Sequence, residues 1–422
     1  MRFIPVLIVI IIMAFMPSVL YTRHILKTKR KTTGGIVLAY AIPTLLILAF
    51  ILLQYATRSG LLDFKVMQWA LWGFILAILP ANIYALFYII NKIIKLITKK
   101  NCITLHYIGA ILATIVAIGL IVGMATRHYI QIREVTIYSK NLPKEFDGIR
   151  IAHITDLHFG NLSPRDSYLQ KVVTKLSETD PDMLVCTGDM MNLTAEEVNG
   201  LDGLFTSINA PLGRYAVMGN HDYGDYSKWE STEAKQANLM AAYEAYRRVG
   251  FVLLNDSAVQ IAEYRLQITD NSTHSTLNSK LSTISVIGVE NWGKPPFPRY
   301  GDLAEATKDF TPAQFNILLS HDPNHWKSEV STDDKYKYID LTLSGHTHSA
   351  QMGINLGKFK WSPSQWIFDH WDGLYQEGTQ YLFVSRGLGY VGIPFRLGMP
   401  AEISVITMRN EEPKVFEPLA IK

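Results

Sequence analysis

The apolar residues of this chain fall into two regimes. In the first third they form long uncharged windows. Afterwards they come in short runs cut by Gly, Asn, Asp and His. No Asp, Glu, Lys or Arg occurs between Arg2 and Arg23, Lys31 and Arg58, Lys65 and Lys92, or Lys100 and Arg127. A spanning helix needs ~20 apolar residues. The windows therefore predict four membrane spans, at about residues 3–22, 34–57, 66–91 and 102–126. Buried helices of a soluble protein would carry charges on one face. These segments carry none. The first window lacks a basic run beyond Arg2 and a small-residue cleavage site, unlike a signal peptide.

From Arg133 onward the period changes to that of strands and short helices. Glu134 to Tyr138 and Ile149 to Thr155 read as two strands joined by a polar turn at Pro143 to Gly148. Ser163-Pro164 reads as a helix start, with Leu169, Val172, Val173 and Leu176 on its apolar face. A helix is expected from Thr194, with Glu197 completing a capping box. Another is expected from Ser231 to Val249, with Leu239, Tyr243 and Tyr246 on one side. Short strands are expected at Met183 to Cys186, Phe251 to Leu254, Ala258 to Ile268, Ile284 to Val289, Phe315 to Leu319, Ile339 to Leu343, Tyr381 to Ser385 and Ile403 to Thr407. Thr269 to Thr283 is rich in Ser, Thr and Asn and reads as an exposed loop. The division expected is a membrane domain over 1–126 and a second domain over 127–422.

Composition narrows the class. A net charge of +3 with no dense basic run in the second domain gives no reason to expect nucleic acid. The two cysteines, Cys102 and Cys186, read as small packing residues rather than a disulfide framework. Charge placement sets an orientation. Arg23, Lys27, Lys29, Arg30 and Lys31 lie in the first loop, and Lys92, Lys95, Lys99 and Lys100 in the third. Only Arg2, Arg58 and Lys65 lie at the amino terminus and in the second loop, while Arg127 and Arg133 just after the fourth span argue weakly the other way. The positive-inside rule then puts both chain ends and the second domain outside the cytoplasm.

The candidate chemistry sits where strands end. Gly219-Asn220-His221-Asp222 follows the apolar run Tyr215 to Met218. Four further loops have the same character: Asp156-Leu157-His158, Gly188-Asp189, Ser320-His321-Asp322 and Gly345-His346-Thr347-His348. Ligands in α/β folds bind at the carboxyl ends of strands. Five such loops carrying Asp, His and Asn point to a dinuclear metal site. With these motifs, residues 133 to 407 resemble the calcineurin-like metallophosphoesterases.

The resemblance implies a four-layer αββα sandwich behind the all-α domain of four spans. It implies a first metal held by Asp156, His158, Asp189 and His348, and a second held by Asp189, Asn220, His321 and His346. Mixed oxygen and nitrogen donors without Cys suit Mn, Fe or Zn. His221 matches the family's catalytic imidazole, which protonates the leaving oxygen. In many relatives an acidic residue three places after the bridging Asp steadies that ring. Here the position holds Asn192, whose side chain could orient the ring or serve only as a loop hydrogen bond.

Other residues read as structural. His153 reads as a core histidine, and His325 and His370 as surface or covering residues rather than ligands. Asn192-Leu193-Thr194, Asn255-Asp256-Ser257 and Asn271-Ser272-Thr273 fit a glycosylation pattern that recurs by chance. Phe359 to Tyr375 holds six aromatic residues, either packed over the second sheet or forming a rim that touches lipid. Arg386 or Arg396 could hold a second anionic group, or belong to a turn that closes the fold. The expected activity is hydrolysis of a phosphoester or pyrophosphate, with a lipid-linked substrate leading. A UDP-diacylglucosamine-type substrate would require a cytoplasmic domain. A non-catalytic metal-dependent scaffold or sensor is the competing class, opposed by the full donor set and His221.

Overall fold

The computed structural model describes residues 64–162, 166–263, 282–295, 297–357 and 359–412. The expected spans at 3–22 and 34–57, and the polar stretch 264–281, lie outside the described residues. Two compact units form: one up to Arg127 together with Gly392–Leu397, the other His128–Val391 with the chain from Gly398.

Among the described residues, two helices are long and apolar enough to cross a membrane. Helix α1 is Phe64–Thr98 and α2 is Thr104–Ala125. Their apolar residues face outward: Ile108, Ile111, Ile115, Ile118 and Ile121 are all exposed. The core helix of a soluble protein would bury such residues; a bilayer solvates them. The third span was expected to end at residue 91, yet α1 continues to Thr98 and takes in Lys92 and Lys95. Long lysine stems let a helix extend past the apolar layer while the ammonium groups reach water. Asn91 closes the α1–α2 turn. Its Nδ2 donates to Asn101 Oδ1 at 2.9 Å, and its Oδ1 accepts from the Cys102 N–H at 2.9 Å.

The second unit holds two six-stranded sheets. The first has the order β1-β14-β2-β3-β4-β5, built from Ile130–Tyr138, Ala401–Arg409, Arg150–Ile154, Met183–Cys186, Arg214–Ala216 and Val252–Leu253. The second has the order β12-β13-β9-β8-β7-β6, built from Gly373–Glu377, Gln380–Val384, Leu341–Ser344, Phe315–Leu319, Ser282–Gly288 and Ser257–Glu263. Period-two alternation assigns each residue to a layer. Ile151, Met183, Val185, Ile317, Leu319, Leu341 and Leu343 fill the space between the sheets. Ala152, Ile154, Leu184 and Cys186 point the other way. They pack under α3, Ser167–Glu178, and α4, Thr232–Val249. The outer face of the second sheet is covered by short turns, with Trp326, Val330 and Tyr336 buried there. The layering is that of the expected sandwich, with the fourth layer reduced to turns.

Several local expectations change. β1 and β2 do not pair across the turn between them. β14 lies between them, parallel to β1 and antiparallel to β2. Residues 163–165 are outside the described residues, and α3 is capped by Asp166, which accepts from the Tyr168 N–H at 2.9 Å. The segment after Thr194 is a single turn, Ala195–Val198, although its capping box is present. Glu197 there also accepts from the backbone N–H groups of Asn192 and Leu193. The carboxylate thereby serves a tight loop rather than a long helix. α4 matches its expected bounds, with the Ser231 hydroxyl accepting from the Ala234 N–H.

Candidate metal centre

Every candidate donor lies just beyond the carboxyl end of a strand. β2 leads to Asp156 and His158, β3 to Asp189, β4 to Asn220 and His221, β8 to His321, and β9 to His346 and His348. The loops meet because glycine allows it. Gly188 has φ +97°, and a Cβ there would lie 2.4 Å from the Gly219 nitrogen. A Cβ on Gly219 would lie 2.2 Å from Asp189 Oδ1. Neither position accommodates a side chain.

Two groups of side chains result, each with donor atoms close enough to hold one ion: Asp156, His158 and His348, and Asp189, His321 and His346. In the first, His348 Nε2 is 3.1 Å from Asp156 Oδ1 and 3.1 Å from His158 Nε2. In the second, His321 Nε2 is 3.2 Å from Asp189 Oδ2 and 3.2 Å from His346 Nδ1. Asp189 Oδ2 is also 3.7 Å from His158 Nε2, so this carboxylate lies between the groups. Ring nitrogens facing one another at such distances need a shared proton or a cation between them.

The backbone shows the same demand. Asp156, His158, Asp189, His346 and His348 all have φ between +47° and +70°. Left-handed backbone at non-glycine residues is costly and concentrates at functional sites. Asn220 adds a further donor. Its Nδ2 donates to Tyr226 Oη at 2.8 Å, while its buried Oδ1 has no partner. A buried, unpaired carbonyl oxygen is costly unless something positive meets it. The residues present therefore fit a pair of cations.

The electrostatics agree. Burial pulls His321 down, but the Asp189 and Asp156 carboxylates outweigh it and push its pKa up to about 10. Burial raises Asp189, and the imidazoles of His321 and His221 outweigh it and hold it well below the usual carboxylate range. Burial and the neighbouring His221 hold His158 well below the usual histidine range. The site thus calls for positive charge near Asp189, which a divalent cation supplies better than a proton.

His221 stands beside both groups. Its ring lies 4.9 Å from that of His158 and 4.4 Å from that of Tyr226. His221 Nδ1 lies 2.8 Å from the backbone oxygen of Asn192. A carbonyl only accepts, so Nδ1 carries the hydrogen and Nε2 is left to exchange a proton. The expectation for Asn192 is corrected here. The contact is made by its main chain, and its amide turns away, with Nδ2 3.3 Å from Asn161 Oδ1. Asn192 is buried, which also removes it as a glycosylation acceptor.

Sequence reasoning left Asp222 without a role. Its Oδ2 accepts from the N–H groups of Asp189 (2.9 Å) and Gly219 (2.8 Å) and from Tyr246 Oη (2.7 Å). Its Oδ1 accepts from the Met191 N–H at 2.9 Å. One carboxylate therefore ties the β3 loop to the β4 loop. Burial and the neighbouring Asp189 push its pKa up to about 7, against the pull of those donors. The available signal was its place as the last residue of Gly219-Asn220-His221-Asp222. Asp222→Ala leaves four buried donors bare. It is expected to destabilise the second unit by about 3 kcal/mol or more, seen as a lower thermal midpoint. An unchanged midpoint would remove Asp222 from this role.

Other residues stay out of the centre. His153 is buried, with Nε2 2.8 Å from Thr187 Oγ1. Burial lowers its pKa to about 4. His325 is not a surface residue. It is fully buried, stacked on Trp292 at 4.9 Å and paired with Glu329 at 3.3 Å, because the turn after His321 directs it into the outer layer. His370 is half-buried between Trp326 and Tyr375. Arg386 is buried in ion pairs with Asp372 at 2.9 Å and Glu402 at 3.5 Å, so its guanidinium serves the fold. Arg396 is buried in the first unit, where its N–H donates to the Gly123 oxygen.

Comparison with known proteins agrees with this geometry. Residues 149–350 match the calcineurin-like phosphoesterase family. The uncharacterized metallophosphoesterase YkuE of Bacillus subtilis is 28% identical over 291 residues, covering 67% of this chain and 87% of that one. The UDP-2,3-diacylglucosamine pyrophosphatase LpxG of Chlamydia trachomatis is 28% identical over 317 residues, covering 67% and 92%. A transmembrane protein with metallophosphoesterase domain from Danio rerio is 26% identical over 284 residues, covering 66% and 57%. The matched segment opens at β2 and closes just past His348, taking in every strand end that carries a donor. Residues 149–350 are thus a calcineurin-like phosphoesterase domain, and the matches support a metal-dependent phosphoric ester hydrolase.

Proposed function

We propose that this membrane-anchored enzyme hydrolyses a phosphoester or pyrophosphate bond of a lipid-linked substrate. The observation that carries the proposal is the pair of donor groups with His221 beside them, on a chain whose α1 and α2 suit a bilayer. Asp156, His158, Asp189 and His348 would hold one metal, and Asp189, Asn220, His321 and His346 the other. Two such cations neutralise phosphoryl oxygens and lower the pKa of water at neutral pH. Mn, Fe or Zn suits the mixed donors. Water adds to phosphorus as the bond to the leaving oxygen breaks, and His221, held at Nδ1 by the Asn192 carbonyl, gives that oxygen its Nε2 proton.

The charge bias of the loops argues for a catalytic unit outside the cytoplasm, facing lipid phosphates of the outer leaflet. The relatives named for UDP-2,3-diacylglucosamine support a second reading, in which the unit faces the cytoplasm and takes a nucleotide-linked lipid. One experiment separates them. Ser275→Cys, with Cys102 replaced and Cys186 buried, is labelled with a membrane-impermeant thiol reagent. Labelling in intact cells, with turnover of lipid phosphates by metal-loaded protein in detergent, is the expected result. Labelling only after the membrane is opened would reverse the orientation and favour the nucleotide-linked lipid.

A further inference from the structure

Beside the centre, the chain forms a small hairpin, β10 (Ile354–Leu356) paired antiparallel with β11 (Phe359–Trp361). In such a pair, opposed residues share a face. Ile354 faces Trp361 and Leu356 faces Phe359, so these four lie on one side; Asn355 and Lys360 lie on the other. The second side is fastened down. Lys360 Nζ donates to the Asp372 backbone oxygen at 2.7 Å and pairs with its carboxylate.

Among the described residues, the apolar side has no protein cover. Leu356 is 74% exposed and Phe359 58%. The turn that follows adds Trp366, 73% exposed, and Ile367, 70% exposed. Trp366 meets Trp361 edge to face at 5.8 Å, which joins turn and hairpin into one surface. A two-stranded hairpin is marginal in water, and contiguous exposed apolar surface marks an interaction site.

The surface is coupled to the catalytic centre. Ser362 Oγ donates to the Ser349 backbone oxygen at 2.6 Å, and Thr347 Oγ1 donates to the Trp371 backbone oxygen at 2.7 Å. One residue past Ile367, the chain turns inward and the Phe368 ring packs 5.4 Å from the ring of His346.

We propose that the apolar face of β10–β11 and the turn 363–367 dock into the bilayer that anchors the chain, and so present a lipid-linked phosphate to the centre. This deepens, and rests on, the lipid-substrate reading above. The linker is short: residues 126–129 alone join α2 to β1, and four residues span at most about 14 Å, so the bilayer lies close to the start of β1. Charge fits the same occupant. From Leu341 to Phe368 there is no Asp or Glu, while Lys358 adds a positive charge. Trp at the rim and Lys behind it suit a phospholipid interface better than a protein partner.

The test uses the full chain in proteoliposomes, with Cys102 replaced. A bimane probe at Leu356→Cys is compared with one at Asp334→Cys, an exposed site on another turn. Nitroxide lipids should quench the probe at 356 strongly and the probe at 334 little. Equal, weak quenching at both sites would overturn the proposal. Pyrene excimers at 356 that rise with protein density would assign the face to a second copy and overturn it too. A double variant, Leu356→Glu with Trp366→Glu, should keep turnover of a soluble nitrophenyl ester. Its turnover of lipid phosphate in bilayers should fall about a hundredfold or more, the scale of removing two inserted apolar side chains. Failure of the underlying reading shows separately. Wild-type protein that cleaves the nitrophenyl ester but no lipid phosphate, with position 356 still quenched, removes the lipid substrate and leaves the docking face standing.

Discussion

Asp189→Asn is expected to strip metal from the centre and to lower turnover by about a thousandfold or more, since a metal pair contributes several kcal/mol. The size of the effect follows from position. Asp189 Oδ2 is 3.2 Å from His321 Nε2 and 3.7 Å from His158 Nε2, one imidazole from each donor group. Its Oδ1 accepts from the His221 N–H at 2.9 Å. An amide in its place loses the charge that draws cations to both groups. It also turns an N–H₂ toward an imidazole nitrogen or a cation. Asn220→Ala removes one neutral oxygen from one group only, so it should retain more metal. Elemental analysis of purified, unchelated protein checks both variants against wild type. Wild-type protein that reproducibly holds one metal or none would count against the dinuclear proposal. Asp189→Asn that keeps two metals would remove Asp189 from the bridging position.

The centre was legible because its signals are local. A strand end followed by Gly, Asp, His or Asn can be read within four or five residues, as at Gly219-Asn220-His221-Asp222. β8 was read at its exact bounds, Phe315–Leu319, because all five residues are buried and its apolar run stops abruptly at Ser320. What stayed hidden depends on distant partners. β1 pairs with β14 across more than two hundred residues, and neither strand's pattern names the other. The short covering turns of the second sheet are too short to show a helical period in sequence. Only their packing around Trp326 and Tyr336 shows why one or two turns suffice. His325 was read as a surface residue since a single His carries no sign of burial. Its stacking on Trp292 and pairing with Glu329 are tertiary facts. The contact from residue 192 to His221 had no signal at all, because every residue offers the same carbonyl.

That last contact sharpens the expectation for the proton donor. His221→Ala should keep its metals, since His221 belongs to neither donor group, yet lower turnover by ~100-fold or more on alkyl esters. The loss should be smaller on a nitrophenyl ester, whose leaving oxygen needs little protonation. The ring is oriented through Nδ1 and the main-chain oxygen of residue 192, at 2.8 Å. Asn192→Ala keeps that oxygen, so it should stay within about threefold of wild type, the effect of one weak side-chain hydrogen bond. Comparing kcat on both ester types for wild type, His221→Ala and Asn192→Ala separates the possibilities. Equal losses on the two esters in His221→Ala would deny it the role of acid. A loss in Asn192→Ala as large as that in His221→Ala would mean that the side chain, not the carbonyl, sets the ring, and the assignment of the Nδ1 hydrogen would have to be withdrawn.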